Sequence, residues 1–441
     1  MEGRQSHDVV GGREADVMIF AIGVFLVVLT VFAVDLVHRT PAALAGGILL
    51  VMAGTIGEEE AIEAVHWETL GLLVGMMILV GILKDSGIFG YLAIKSAQVA
   101  RGRPGLVLIY LAAITAALSA FLDNVTTVLL MFPVTLIISR ILEEDPIPFL
   151  IVEVLASNIG GTATLVGDPP NIIIGTVVDE LTFMDFIVNL TPPILVILLI
   201  TLGIVWLVHA RKLHTTEEDR KEIMALEAEE EIKDRTLLIR SGAVAGATVV
   251  GFFLQQITGF NPAIVALAGA AVAMLVCGPE VEKVLHEVEW PTILFFVGLF
   301  VMVGALESTG FIDLVAHSLA SASGSLAGTA LIVMWGSGFA SGIVDNIPFT
   351  ATMVPVIEQL AETRGYDAAT VEPLWWSLSL GACLGGNFTL IGASANLVVA
   401  GLVAREGMTS FTFWRFLLWG FPLTLIALVL SSLYILIFQL G

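Results

Sequence analysis

The 441-residue sequence predicts an all-α polytopic membrane protein assembled from two homologous halves. Three features predict it: an apolar excess laid out in long uncharged runs, an internal repeat of about half the chain, and paired polar motifs that interrupt the apolar runs at matching positions.

Hydrophobic residues make up 57% of the chain and charged residues 14%, where a soluble domain carries roughly 45–50% and 25%. The excess lies in runs such as Val17 to Val34, Gly105 to Leu122, Pro193 to Val208 and Leu423 to Phe438, near the roughly 20 residues that a bilayer core demands. No alternating pattern of about ten residues per strand marks an outer-membrane barrel, so helices satisfy the backbone inside the bilayer. Dividing the apolar stretches by span length predicts about ten to twelve spans.

Residues 1–16 form a charged tail, and the apolar run after it ends in AVDLVHRT without a small-residue cleavage site. A removable signal peptide is therefore not expected. The two cysteines, Cys277 and Cys383, sit in apolar surroundings and predict neither a disulfide framework nor a metal site. The formal charge of −22 comes mostly from terminal and loop acids and reflects solubility or habitat rather than orientation. Residues 211–235 are the one dense charged segment, with six of the 19 basic residues. This segment reads as a solvated linker on the cytoplasmic side of an inner (plasma) membrane. It separates a first repeat, 17–210, from a second, 236–441.

The repeat is read directly. VHWETLGLLVGMMILVGILKDSGIFGYLA from Val65 matches VEWPTILFFVGLFVMVGALESTGFIDLVA from Val288, placing Trp67 on Trp290, Gly75 on Gly298 and Gly87 on Gly310. Asp123-Asn124 falls on Asp345-Asn346, and GGTATLVGDPPN from Gly160 falls on GGNFTLIGASAN from Gly385. Repeats with Gly- or Pro-interrupted apolar segments at equivalent positions point to a secondary transporter whose site lies between the repeats.

Each Asp-Asn pair sits between two apolar arms, which suggests the tip of a re-entrant hairpin. An acid inside the membrane is costly enough that function is its default reading; the competing reading is a helix cap. Leu155 to Gly175 holds four glycines, Pro169-Pro170, two asparagines and two threonines, a composition that breaks a helix. Unwound carbonyls and half-helix ends supply ligands for cations and anions. The halves differ at two acids: Glu153 aligns with Leu378, and Asp168 with Ala393. Both are candidates for proton coupling, together with Asp123 and Asp345; Glu153 lies four residues before Ser157 and faces the break if that arm is helical.

The motifs DNVTTVLL, SNIGGTATLVGDPPN, DNIPFTATM and GACLGGNFTLIGASAN resemble those of the ion transporter superfamily. Within it, they resemble the branch of arsenite permeases, sodium–proton antiporters and the melanosomal P protein, related to the divalent anion:sodium symporters. The resemblance covers nearly all of the chain after the first span. It implies two inverted repeats, each with a re-entrant hairpin and a broken helix, and a homodimer. It also implies a first site at Asp123, Asn124, Thr126, Asn158, Gly161 and Thr162, and a second at Asp345, Asn346, Phe349, Gly386 and Asn387. Where the dicarboxylate branch has Ser-Asn-Thr tips, both tips here read Asp-Asn. An anionic tip disfavours an organic dianion and favours a cation, a proton or a neutral solute.

The leading expectation is export of an arsenite- or antimonite-type small inorganic solute or oxyanion, coupled to a proton or sodium gradient, without a cofactor other than that Na⁺ or H⁺. A Na⁺/H⁺ antiporter is the alternative, and a channel-like anion conductance the third. Outside transport, two membrane aspartates admit an aspartyl protease, which the duplicated broken helices argue against. No Walker-type loop is present, so ATP hydrolysis by the chain itself is not expected, and an external ATPase partner stays open. Nothing in the sequence points to a nucleic-acid partner.

Overall fold

The computed structural model describes the backbone of residues 2–34 and 37–441, with side chains over 15–32 and 37–441. In the first half the helices are α1 (Glu2–Val34), α2 (Arg39–Met52), α3 (Glu58–Glu63), α4 (Trp67–Lys84), α5 (Ile88–Val99), α6 (Pro104–Ser119), α7 (Asn124–Ile141), α8 (Pro146–Gly161), α9 (Pro169–Val177) and α10 (Phe183–Val208). A short α11 (Glu217–Ala225) follows. The second half holds α12 (Arg235–Phe253), α13 (Gln255–Thr258), α14 (Pro262–Cys277), α15 (Val281–Glu287), α16 (Trp290–Ser308), α17 (Phe311–Ala322), α18 (Leu326–Val344), α19 (Asn346–Arg364), α20 (Ala368–Gly385), α21 (Ser394–Arg405) and α22 (Phe413–Tyr434).

Two expectations change. Met1 of the 1–16 tail lies outside the described residues, and α1 begins at Glu2, so the rest of that stretch is helix continuous with the first apolar run. Among the described residues, eight helices rather than ten to twelve are long and apolar enough to cross a membrane, and six shorter apolar helices accompany them. The difference is physical: at 1.5 Å per residue, α6 and α8, of 16 residues each, reach only about 24 Å. Apolar residues counted as whole spans are divided among short arms and half-helices.

The helix ends follow from local chemistry. Proline opens α6, α8, α9 and α14, where its missing N–H costs nothing. Asp145, Asp234 and Asp367 cap α8, α12 and α20 through their side chains, satisfying free N-terminal donors. The broken helices appear where composition requires them. The α8 helix stops at Gly161 and α9 restarts at Pro169; α20 stops at Gly385 and α21 restarts at Ser394.

The halves exchange their first helices. The α2 helix packs on α16 of the second half, and α14 packs on α4 of the first. Glycine sets the distance in both places. A Cβ on Gly75 would lie 2.7 Å from the Ala266 carbonyl carbon, and one on Gly298 would lie 2.5 Å from that of Ala43. Ala43 and Ala266 are repeat equivalents, as are Gly75 and Gly298. Contact between i and j′ matched by contact between j and i′ is the reciprocity that a two-fold relation produces.

The charged linker lies against one end of the first half. Gln98 Nε2 donates to the Leu226 carbonyl at 2.7 Å, Lys233 N to the Ser86 carbonyl at 3.0 Å, and Lys95 pairs with Glu229 at 3.3 Å.

Gly75→Val and Gly298→Val should each lower the thermal midpoint in detergent, since overpacking a close helix contact costs about 1–3 kcal/mol. Gly203→Ala, with nothing within 4 Å of an added Cβ, should leave it unchanged or raise it slightly. Equal tolerance at all three positions would remove close approach as the reason for the paired glycines.

Candidate functional site

Both hairpin tips and both helix breaks meet at one buried polar cluster. Asp123 and Asp345 are N-caps: Asp123 Oδ1 accepts from Thr126 N at 2.8 Å, and Asp345 Oδ1 from Ile347 N at 3.1 Å. The capping role is therefore real at both tips. The cap turns the next residue inward, and the asparagines reach the centre. Asn124 Nδ2 donates to Asn158 Oδ1 at 3.1 Å and to Asp168 Oδ1 at 3.3 Å, while Asn346 Nδ2 donates to the same Asp168 Oδ1 at 3.2 Å.

Asp168 thus joins the tips of opposite halves. It is 0% exposed, and its Oδ2 has no hydrogen-bond partner among the described residues. Its repeat counterpart, Ala393, has nearly the same backbone conformation, φ −148° and ψ 146° against −143° and 136°. The asymmetry lies in the side chain alone.

A second layer knits the breaks together. Asn158 Nδ2 donates to Asn387 Oδ1 at 2.8 Å and Asn396 Oδ1 at 3.0 Å, and Asn387 Nδ2 donates to the Leu155 carbonyl at 3.1 Å. Asn171 Nδ2 donates to the carbonyls of Thr162 and Thr164 at 3.0 and 2.8 Å; Asn396 Nδ2 donates to those of Gly386 and Thr389, both at 2.9 Å. These carbonyls are freed where the helices unwind, and the amides replace their lost partners. The two-fold relation recurs: Asn158 meets Asn396 as its counterpart Cys383 meets Asn171, with Sγ donating at 3.6 Å.

The sequence candidates do not all share this cluster. Asn124, Asn158, Asp168, Asn346, Asn387 and the backbone of Thr162 and Gly386 do. Gly161 lines the first break, where a Cβ would strike the Gly167 carbonyl. Thr126 serves the Asp123 cap. Phe349 packs against the apolar core. Glu153 is buried at 3% exposure in α8 and accepts from Thr135 Oγ1 at 2.7 Å, away from the asparagine cluster. Asn171 and Asn396 join the list, and their identical place in GDPPN and GASAN was their signal in the sequence. Arg39 and Ser394 also join it. Arg39 Nη1 lies 3.5 Å from Asp345 Oδ2, and Ser394 Oγ donates to that oxygen at 3.0 Å. A lone arginine at the start of an apolar helix carried no such signal.

One cavity opens at the Asp345 tip, and a second lies away from the asparagines, among residues 177–180, 307–313 and 355–375. The first, of about 240 Å³, is bordered by Arg39, Asp345, Ser394 and Phe295. The other, about 560 Å³, is lined by seven carboxylates, among them Asp179, Glu180, Glu307, Glu358 and Glu362, and by no lysine or arginine.

Asn158→Leu strands the amide oxygens of Asn387 and Asn396, and an unsatisfied buried polar group costs about 1–3 kcal/mol. It should lower the thermal midpoint by several degrees, and Phe349→Leu by less. The reverse order would show that the cross-half amide network contributes little to stability.

A family model described as citrate transporter matches residues 18–381. An uncharacterized transporter of Mycobacterium tuberculosis is 41% identical over 423 residues, covering 95% of this chain and 97% of its own. The P protein of Homo sapiens is 33% identical over 517 residues, covering 98% of this chain, which spans 61% of that protein. In fold, the crystal structure of the Alcanivorax borkumensis YdaH transporter matches with a TM-score of 0.56 at 15% identity, over 85% of this chain and 86% of that one. A transporter family leaves no place for the aspartyl protease. The chain is an integral membrane protein and belongs to the citrate transporter family within the ion transporter superfamily.

Proposed function

We propose that the chain is a secondary active transporter coupled to a proton or sodium ion, with Asp168 as the residue that exchanges the coupling ion. The orphaned Oδ2 of a fully buried carboxylate carries this reading. Two amide donors hold Oδ1, and a buried carboxylate with no cationic partner needs a proton or an incoming cation to neutralise it. Because Asp168 bonds to both tips, taking or releasing that ion changes the attraction between halves, which is what alternating access requires. The acidic cavity supports a cation, since a cleft lined by one sign of charge concentrates the opposite ion.

The transported solute in this proposal is a small inorganic one of the arsenite or antimonite type, exported against proton or sodium entry. Arsenious acid is neutral and brings hydroxyl donors to a cluster of carboxylates and amide oxygens. Free citrate suits the cluster poorly: a trianion would meet Asp123, Asp168 and Asp345 with Arg39 as the one guanidinium at the tips among the described residues. A second reading, Na⁺/H⁺ antiport without another solute, is favoured by the closed bonding at the centre, where Asn158 and Asn387 are in direct contact. The repeats are inverted and the hairpins re-entrant in this proposal, as reciprocal packing and buried tips support. The linker lies in the cytoplasm, and two chains pair as a homodimer.

Proteoliposomes loaded with pH- and sodium-sensitive dyes test it. A sodium gradient and an arsenite gradient, applied singly and together, should move protons or sodium in wild type, and Asp168→Asn should reduce the movement to that of empty liposomes. Dependence on arsenite would support the export reading, and indifference to it the antiporter. Full activity in Asp168→Asn would refute the role of Asp168 in either.

A further inference from the structure

The two tips carry the same Asp-Asn pair, yet among the described residues a cationic side chain pairs with one of them, Asp345. Arg39, the first residue of α2, crosses from the first half to the second. Its Nη1 lies 3.5 Å from Asp345 Oδ2, it donates to Ser394 Oγ, and its guanidinium carbon stands 5.2 Å from the centroid of the Phe295 ring. Ser394 completes the arrangement by donating to the same Oδ2. Arg39 and Asp345 side chains are only 26% and 12% exposed, so the pair is shielded and less screened than a surface ion pair.

In repeat register the surroundings of the Asp123 tip lack every part of this arrangement except the aspartate. Pro262 starts α14 where Arg39 starts α2, Pro169 stands for Ser394, and Leu72 stands for Phe295. Asp123 pairs with no lysine or arginine among the described residues. The backbones differ too. Asp123 is relaxed at φ −62° and ψ 152°, whereas Asp345 sits at φ 100° and ψ 144°. A non-glycine residue with positive φ is costly and persists only where its surroundings hold it. Here the side chain is bonded on one oxygen to the Ile347 N–H and on the other to Arg39 and Ser394.

A guanidinium is permanently charged and offers planar donors to a carboxylate, and it competes with any mobile cation for the oxygen it faces. We propose that Arg39 is a tethered counter-ion occupying the Asp345 tip, which leaves the Asp123 tip as the one of the two equivalent positions open to a mobile cation. This deepens the ion-coupled reading and rests on it for the identity of the exchanged ion. The occupancy of Asp345 by Arg39 stands apart from that identity. The consequence is an unequal pair of tips: one charge travels with the transport cycle, and the other remains attached to the chain.

The experiment counts cations on the full chain purified in detergent, using equilibrium dialysis with radioactive sodium and proton uptake in unbuffered solution. Beside any cation held at Asp168, wild type should bind one that disappears in Asp123→Asn and none that disappears in Asp345→Asn. Arg39→Gln should gain one further cation, sodium or proton, which is lost again in Arg39→Gln/Asp345→Asn; Arg39→Lys should keep the wild-type count. A folded, monodisperse Arg39→Gln with no gain overturns the proposal, as does a gain that survives Asp345→Asn. If Arg39→Gln does not fold, Asp345→Asn alone decides: an unchanged count supports the proposal, and loss of one cation overturns it. Absence of any Asp123- or Asp168-dependent cation in wild type would instead sink the ion-coupled reading, because the gain in Arg39→Gln is scored at Asp345 independently.

Discussion

Where a membrane helix unwinds, the carbonyls it releases must find donors inside the protein, because hydrocarbon offers none. In this chain the requirement is met twice by one device. An asparagine at the start of the second half-helix folds its amide back over the break, Asn171 onto Thr162 and Thr164, Asn396 onto Gly386 and Thr389. Once those amide hydrogens are committed, the amide oxygens face the other half, where Asn158 and Ser379 donate to them. The same residues that make the breaks tolerable therefore also join the halves. Much of the site's geometry, including the positions available to the tip asparagines, descends from this arrangement.

Symmetry and its violation divide the work. The reciprocal pairs, Gly75 with Ala266 and Gly298 with Ala43 outside, Asn158 with Asn396 and Cys383 with Asn171 inside, build a frame in which both halves are equivalent. Among the charged groups that do not obey it are Asp168, Glu153 and Arg39. Asp168 replaces a methyl group at the meeting point of the tips, Glu153 replaces a leucine in α8, and Arg39 takes a position that is proline in the other half. Each is buried or half-buried, so each carries a desolvation cost that the symmetric frame does not need. In the transport cycle proposed above, charge placed off the symmetry of such a frame is what can bias one state over the other.

The membrane class was legible because it depends on composition, which survives in a linear string, as does the similarity between distant segments from which the duplication is read. The broken helices were legible for the same reason, since Gly-Gly and Pro-Pro in an apolar stretch forbid a continuous helix whatever its neighbours. The role of the aspartates was legible only in part. Their position at a polar tip suggested ion ligands, but the local pull of free helix donors claims one oxygen of each, so Asn124 and Asn346 make the central contacts. Phe349, carried over by position, belongs to apolar packing. Motif position does not report which way a side chain turns.

By itself the sequence determined the solvent of this protein, its duplication, the places where its helices break and the acids that distinguish the halves, because each follows from residue type and order along the chain. Only the tertiary structure decided that Asp168 lies between both tips with one oxygen unpartnered, and that Arg39 reaches Asp345 across 306 residues of chain. The reason is packing between halves: α9 lies against α19, and α2 lies against α16. It brings together side chains with no periodic or local relation in sequence, and electrostatics in a buried site depends on distances of a few ångströms rather than on order.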